Sequence, residues 1–164
     1  MPTTYEPIAT TTLGSATNTI TFSTIAATYT DLRLTLVFTT SVGGANVFFR
    51  FNGDTGTNYS YTSLEGSGSA ASSSRNTGAN RLQTDTNSST TIPHFETVDV
   101  FSYAGSTNKT ALMTAQEDDN GSGYVTRAVG LWRNTAAITS MTAFCNGANF
   151  AIGTTATLYG IKNA

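Results

Sequence analysis

Residues 131 to 161 read LWRNTAAITSMTAFCNGANFAIGTTATLYGI, a series of short apolar runs broken by Asn-Thr, Asn-Gly and Gly-Thr. Leu158 and Gly160 alternate there with Tyr159 and Ile161, so the closing run can bury one face of a strand. A strand of that pattern is expected to pair into a sheet, because a loose end would leave its apolar groups in water. The stretch predicts an all-β module.

Working outward, the same period recurs. Ile20 and Phe22 alternate in TNTITF. Leu32, Leu34, Leu36 and Phe38 make the cleanest alternation, with Arg33, Thr35 and Val37 on the other face. Val47, Phe49 and Phe51 follow, then the turn residues Asn52-Gly53-Asp54-Thr55-Gly56, then Tyr59, Tyr61 and Leu64. Strands resume at 92–103, 110–116, 124–133, 138–145 and 155–161. About nine or ten short strands at this spacing predict a single-domain antiparallel β-sandwich, jelly-roll-like, over residues 1 to 164. The segment from Gly66 to Thr91 is nearly devoid of large apolar groups, so a long polar loop or arm is expected at about 66–91, with one short strand near Arg81 to Gln83.

Some runs are apolar on both faces. Phe48 opposes Phe49, Phe101 follows Val100, and Leu131 adjoins Trp132. A sandwich buries one face per strand, so the surplus predicts cover by a loop or by another chain, and a homo-oligomer is the preferred form.

Composition supports this class. Only 11% of residues are charged, against roughly 25% in ordinary globular domains, while threonine alone is about one residue in five. Threonine suits a pleated, half-exposed surface. Seven Tyr, nine Phe and one Trp argue against disorder. A net charge of −2 and scattered Lys and Arg exclude a phosphate-binding stripe, so no nucleic-acid partner is expected. The start MPTTYEPIATTT has neither a basic nor an apolar signal region, and no apolar run has spanning length; a soluble product without a membrane partner is expected.

The chemistry-bearing residues are sparse. The single cysteine, Cys145, cannot form an internal disulfide and is expected to be a small buried hydrophobe. The single histidine, His94, follows Pro93 at a strand start and is expected at a surface or an interface. Glu96 and Asp99 share a strand at odd separation and so point to opposite faces, which does not make an acid and base pair. Asp54 in NGDTGTN, and Asp118 and Asp119 in EDDNGSG, are the residues a hard cation would use. Neither loop matches the full calcium template, and solvated turns are expected, with no cofactor. Tyr59, Tyr61, Tyr103 and Tyr124 could stack on sugar rings, but core or interface positions are the stronger expectation. No enzyme is expected.

YEPIATTTL (Tyr5 to Leu13), ITFSTIAATYTDLRL (Ile20 to Leu34), FNGDTGTNYS (Phe51 to Ser60), LWRNTAAITSM (Leu131 to Met141) and FAIGTTATLYGIKNA (Phe150 to Ala164) together resemble small virion structural proteins of tailed bacteriophages, particularly phages of cyanobacteria and other marine bacteria. The resemblance spans nearly the whole chain and is weakest between Gly66 and Thr91. It implies a β-sandwich assembled in the host cytoplasm and resident in the virion. The first expectation is a capsid decoration or cement protein bound to the major capsid protein, with Phe48 and Trp132 as interface anchors and a trimer among its forms. The alternative is a tail-fibre tip, baseplate or adhesin module that binds host-surface glycan.

Overall fold

Alternation of apolar and polar residues sets the strands in the computed structural model, which describes residues 4–84 and 87–162. Twelve strands follow in chain order, with no helix among the described residues. They are β1 (Tyr5–Thr12), β2 (Thr19–Phe22), β3 (Asp31–Phe38), β4 (Val47–Phe51), β5 (Tyr59–Gly66), β6 (Ala71–Ala79), β7 (Leu82–Gln83), β8 (His94–Phe101), β9 (Lys109–Glu117), β10 (Tyr124–Trp132), β11 (Met141–Cys145) and β12 (Thr155–Ile161). They form an eight-stranded sheet in the order β1-β12-β3-β8-β9-β10-β5-β6 and a four-stranded sheet in the order β2-β11-β4-β7. Every pairing is antiparallel.

Eight strands pair from the outside inwards: β1 with β12, β2 with β11, β3 with β8, and β4 with β7. This nested pairing is the wiring of a jelly roll, in which a long antiparallel ribbon rolls into two sheets. The remaining strands are two inserted hairpins, β5–β6 and β9–β10, which extend the large sheet beyond β8. The fold class expected from the sequence therefore holds, with two more strands than the upper expectation.

The segment around 66–91 corrects the expectation of a loop. Its stretch Ala71–Ala79 is β6, a nine-residue strand paired with β5 along the edge of the large sheet. Eight of its nine residues are exposed, so burial leaves no apolar alternation to read in the sequence. The short strand near Arg81 is present as β7. β1 was not anticipated either; it too is an edge strand with little burial.

The core lies between the sheets. The large sheet contributes Leu32, Leu34, Leu36 and Phe38 from β3, Val98 and Val100 from β8, and Ala156 and Leu158 from β12. The small sheet contributes Ile20, Phe22, Val47, Phe49, Phe51, Met141 and Ala143. Two glycines permit close approach. A Cβ on Gly130 would lie 2.6 Å from the Leu82 side chain, and one on Gly160 would lie 2.3 Å from the Tyr29 ring. Gly160→Ala must displace that ring; it is expected to cost about 1–3 kcal/mol in a urea denaturation, the usual penalty of overpacking.

Candidate functional site

The turn after β4 folds around Asp54. Asn52 and Gly53 take positive φ (52° and 64°), which reverses the chain and aims the Asp54 carboxylate inwards. Its Oδ1 accepts the Gly56 N–H at 2.8 Å, and its Oδ2 accepts Asn58 Nδ2 at 2.9 Å and Trp132 Nε1 at 2.7 Å. Burial works against the charge, but these donors outweigh it and hold the carboxyl below its ordinary value. Asp54 thus spends its acceptors on the fold rather than on a cation. Asp118 caps the Gly121 N–H at 2.7 Å, and the Asp119 carbonyl accepts the Ser122 N–H at 3.2 Å. Among the described residues no three His, Cys, Asp or Glu side chains gather as metal ligands.

Both expected anchors need correction. Trp132 is fully buried, stacked on Tyr59 with ring centroids 6.3 Å apart and edge-on to Phe51 at 5.7 Å. Phe48 is 3% exposed because the chain covers it: the Arg81 guanidinium lies 3.9 Å from its ring centroid, and Phe144 packs against its side. Neither side chain is offered to a partner by the single chain. Tyr59 and Tyr103 are also fully buried, with hydroxyls bonded to the backbone at Phe51 and Ala26. Tyr61 and Tyr124 remain partly exposed.

The histidine is corrected in the same way. His94 is 2% exposed and lies on the inner face of β8, two residues from the equally buried Glu96. Both are in phase with Val98 and Val100, so the strand's own alternation turns them inwards. The Ser89 N–H donates to His94 Nε2 at 2.8 Å, and the Glu117 carboxyl lies against the same nitrogen. Burial pushes His94 down, and burial together with Asp119 pushes Glu117 up. Glu96 accepts a hydrogen bond from Thr84 through Oε1, while Oε2 is buried without a partner. Burial raises its carboxyl to about 8. Burial, with a smaller contribution from Glu96, raises the Cys145 thiol to about 12, so it is a thiol rather than a thiolate at neutral pH. Asp99, as expected, faces the other way and pairs with Arg33 through two contacts of 2.5 and 2.8 Å. The inner polar groups hold the β7–β8 connection against the sheet and are closed off from solvent.

What the chain does present is the outer face of the large sheet. Cross-strand register lays Val37, Phe95, Gln116 and Val125 in one row and Arg33, Asp99, Leu112, Val129 and Thr62 in another. Between them Thr97 and Thr114 share a hydroxyl hydrogen bond at 2.5 Å. Leu64 (59%), Val125 (62%) and Val129 (48%) stand exposed on this face, as do Phe95 and Phe101. A shallow groove of about 350 Å³ runs between β9, β10, β5 and β6, floored by Leu112, Val129 and Leu64. Phe101 and Leu131, two of the apolar surplus read in the sequence, belong to this face and stay uncovered or half-covered, unlike Phe48.

No family model, no curated protein and no solved structure matches this chain. The outer face must therefore be read from its own chemistry. It carries few charges, many threonines and a scatter of large apolar groups on a rigid sheet. Such a surface excludes water well when covered and requires little ordering of long side chains.

Proposed function

We propose that the chain is a virion structural protein, a capsid decoration or cement module that binds as a preformed sandwich to a larger protein shell. The observation that carries this reading is the uncovered outer face, with Leu64, Val125, Val129, Phe95 and Phe101 exposed on one sheet. An apolar area of that spread on a jelly-roll is suited to burial against a neighbouring protein. Binding only to the assembled shell would stabilise it by mass action. The bacteriophage resemblance supports a virion as the setting and the major capsid protein as the partner.

Val129→Glu places a charge in the middle of the groove without touching the core. The variant is expected to melt within about 1 °C of the parent, as surface substitutions do, and to be lost from purified particles in a quantitative mass-spectrometric comparison. Unchanged occupancy of the variant would contradict docking through this face. A second reading, a glycan-binding fibre or baseplate module, is favoured by one feature: a cleft of about 300 Å³ on the other side of β5–β6 lined by Tyr61, Asn76, Asn80 and Arg81. That reading requires adsorption to host cells to fall on Tyr61→Ala substitution.

A further inference from the structure

The two sheets have four edges, and three of them are blunted. β1 carries Glu6, has Pro7 without an N–H, and is bulged between Pro7 and Ala9. β2 has four residues and β7 two, too short to template a partner strand. The fourth edge, β6, is different. It has no proline, its one register irregularity lies at the far end between Asn76 and Ala79, and the regular run from Ala71 to Ser74 carries only small side chains that are exposed on both faces.

The register identifies which of its backbone groups are open. The hairpin is closed by the Ser67 N–H donating to the Ala70 carbonyl at 3.0 Å, and Ser72 and Ser74 lie opposite Glu65 and Ser63. Since hydrogen-bonded and non-hydrogen-bonded pairs alternate along an antiparallel ladder, the N–H and C=O of Ala71, Ser73 and Arg75 point away from β5.

We propose that β6 is a self-pairing edge, joining two copies of this chain about a twofold axis at Ser73. In that register Ala71 meets the partner's Arg75 and Ser73 meets its own copy, so every outward backbone group of these three residues is satisfied. A second copy is the occupant for three reasons. The edge is its own complement in this register. The two Arg75 side chains, the only charges on β6, are held about 13 Å apart along the strands, beyond the Debye length of about 8 Å. Finally, because β6 is the single open edge among the described strands, pairing closes at two copies and does not propagate into a fibre. The same axis sets Leu64 of both copies beside it, joining the two apolar strips of the outer face into one. The claim is independent of the docking role: its failure leaves that role untouched, and Val129→Glu leaves the edge intact.

The test is the mass of the purified full chain by light scattering at about 100 μM, where an interface of micromolar affinity is filled. The expected mass is twice the 17.2 kDa of the single chain. Ser73→Pro removes one outward N–H without breaking a β5 contact, as proline is tolerated on an edge, and is expected to halve that mass. Should Ser73→Pro fail to fold, Ser73→Cys decides: under mild oxidation it is expected to give a disulfide-linked dimer, whereas Thr10→Cys on β1 gives none. A monomeric parent, a trimeric mass, or a dimer that survives Ser73→Pro would overturn the proposal. So would failure of Ser73→Cys to cross-link.

Discussion

Glu96→Gln is expected to raise the melting temperature at pH 9 by about 10 °C and to change it little at pH 5. Glu96 is 1% exposed, its Oε2 has no partner, and burial lifts its carboxyl from 4.5 to about 8. A group raised in the folded state binds its proton more tightly there, so its contribution to stability is present below 4.5 and is lost as the pH rises through 8. A shift of that size corresponds to about 5 kcal/mol. Glutamine keeps an acceptor for Thr84 and cannot ionise. His94 acts with the opposite sign: burial pushes it down, so stability is lost as the pH falls through its ordinary range. The two groups together predict a stability maximum between the acid and alkaline limbs. Thermal scans from pH 4 to 9 check this, and a fall in stability between about pH 5 and pH 8 that is as steep in Glu96→Gln as in the parent would contradict it.

Trp132→Ala is expected to cost about 4 kcal/mol and to lower the melting temperature by about 10 °C or more. The ring is fully buried between Tyr59 and Phe51, and its removal leaves both a cavity and one hydrogen bond lost at Asp54. Trp132→Phe separates these effects, since it retains most of the ring contact but not the indole N–H. A double-mutant cycle of Trp132→Phe with Asp54→Ala is expected to show coupling of about 1–3 kcal/mol in urea denaturation. Additivity within about 0.3 kcal/mol would remove Asp54 from the role assigned to it.

The strands that bury a face were readable from their residues. Leu32 to Phe38 and Thr155 to Ile161 alternate in sequence and are half-covered in the fold. β1 and β6 were not readable, because edge strands are held by backbone pairing and expose their side chains, which leaves no periodic signal. His94 and Glu96 did carry a signal: both share the parity of Val98 and Val100, as Lys109 shares that of Ala111 and Met113. Residue type had argued for the surface and alternation argued for the core; alternation prevailed. The link between Asp54 and Trp132 spans 78 residues and depends on the inserted hairpins, whose placement no local pattern reports. Among the candidate sites, the opposite facing of Glu96 and Asp99 was visible from their spacing. The shielding of Phe48 by Arg81 was not.

The functional account rests on the outer face of the large sheet being covered in the assembled particle. Electron cryomicroscopy of intact particles containing the protein tests this most directly. The account predicts density for the sandwich on the shell, in fixed ratio to the capsid protein, with the β9–β10–β5 face turned towards it. A sandwich with that face open to solvent, or a protein confined to the tail, would contradict the account.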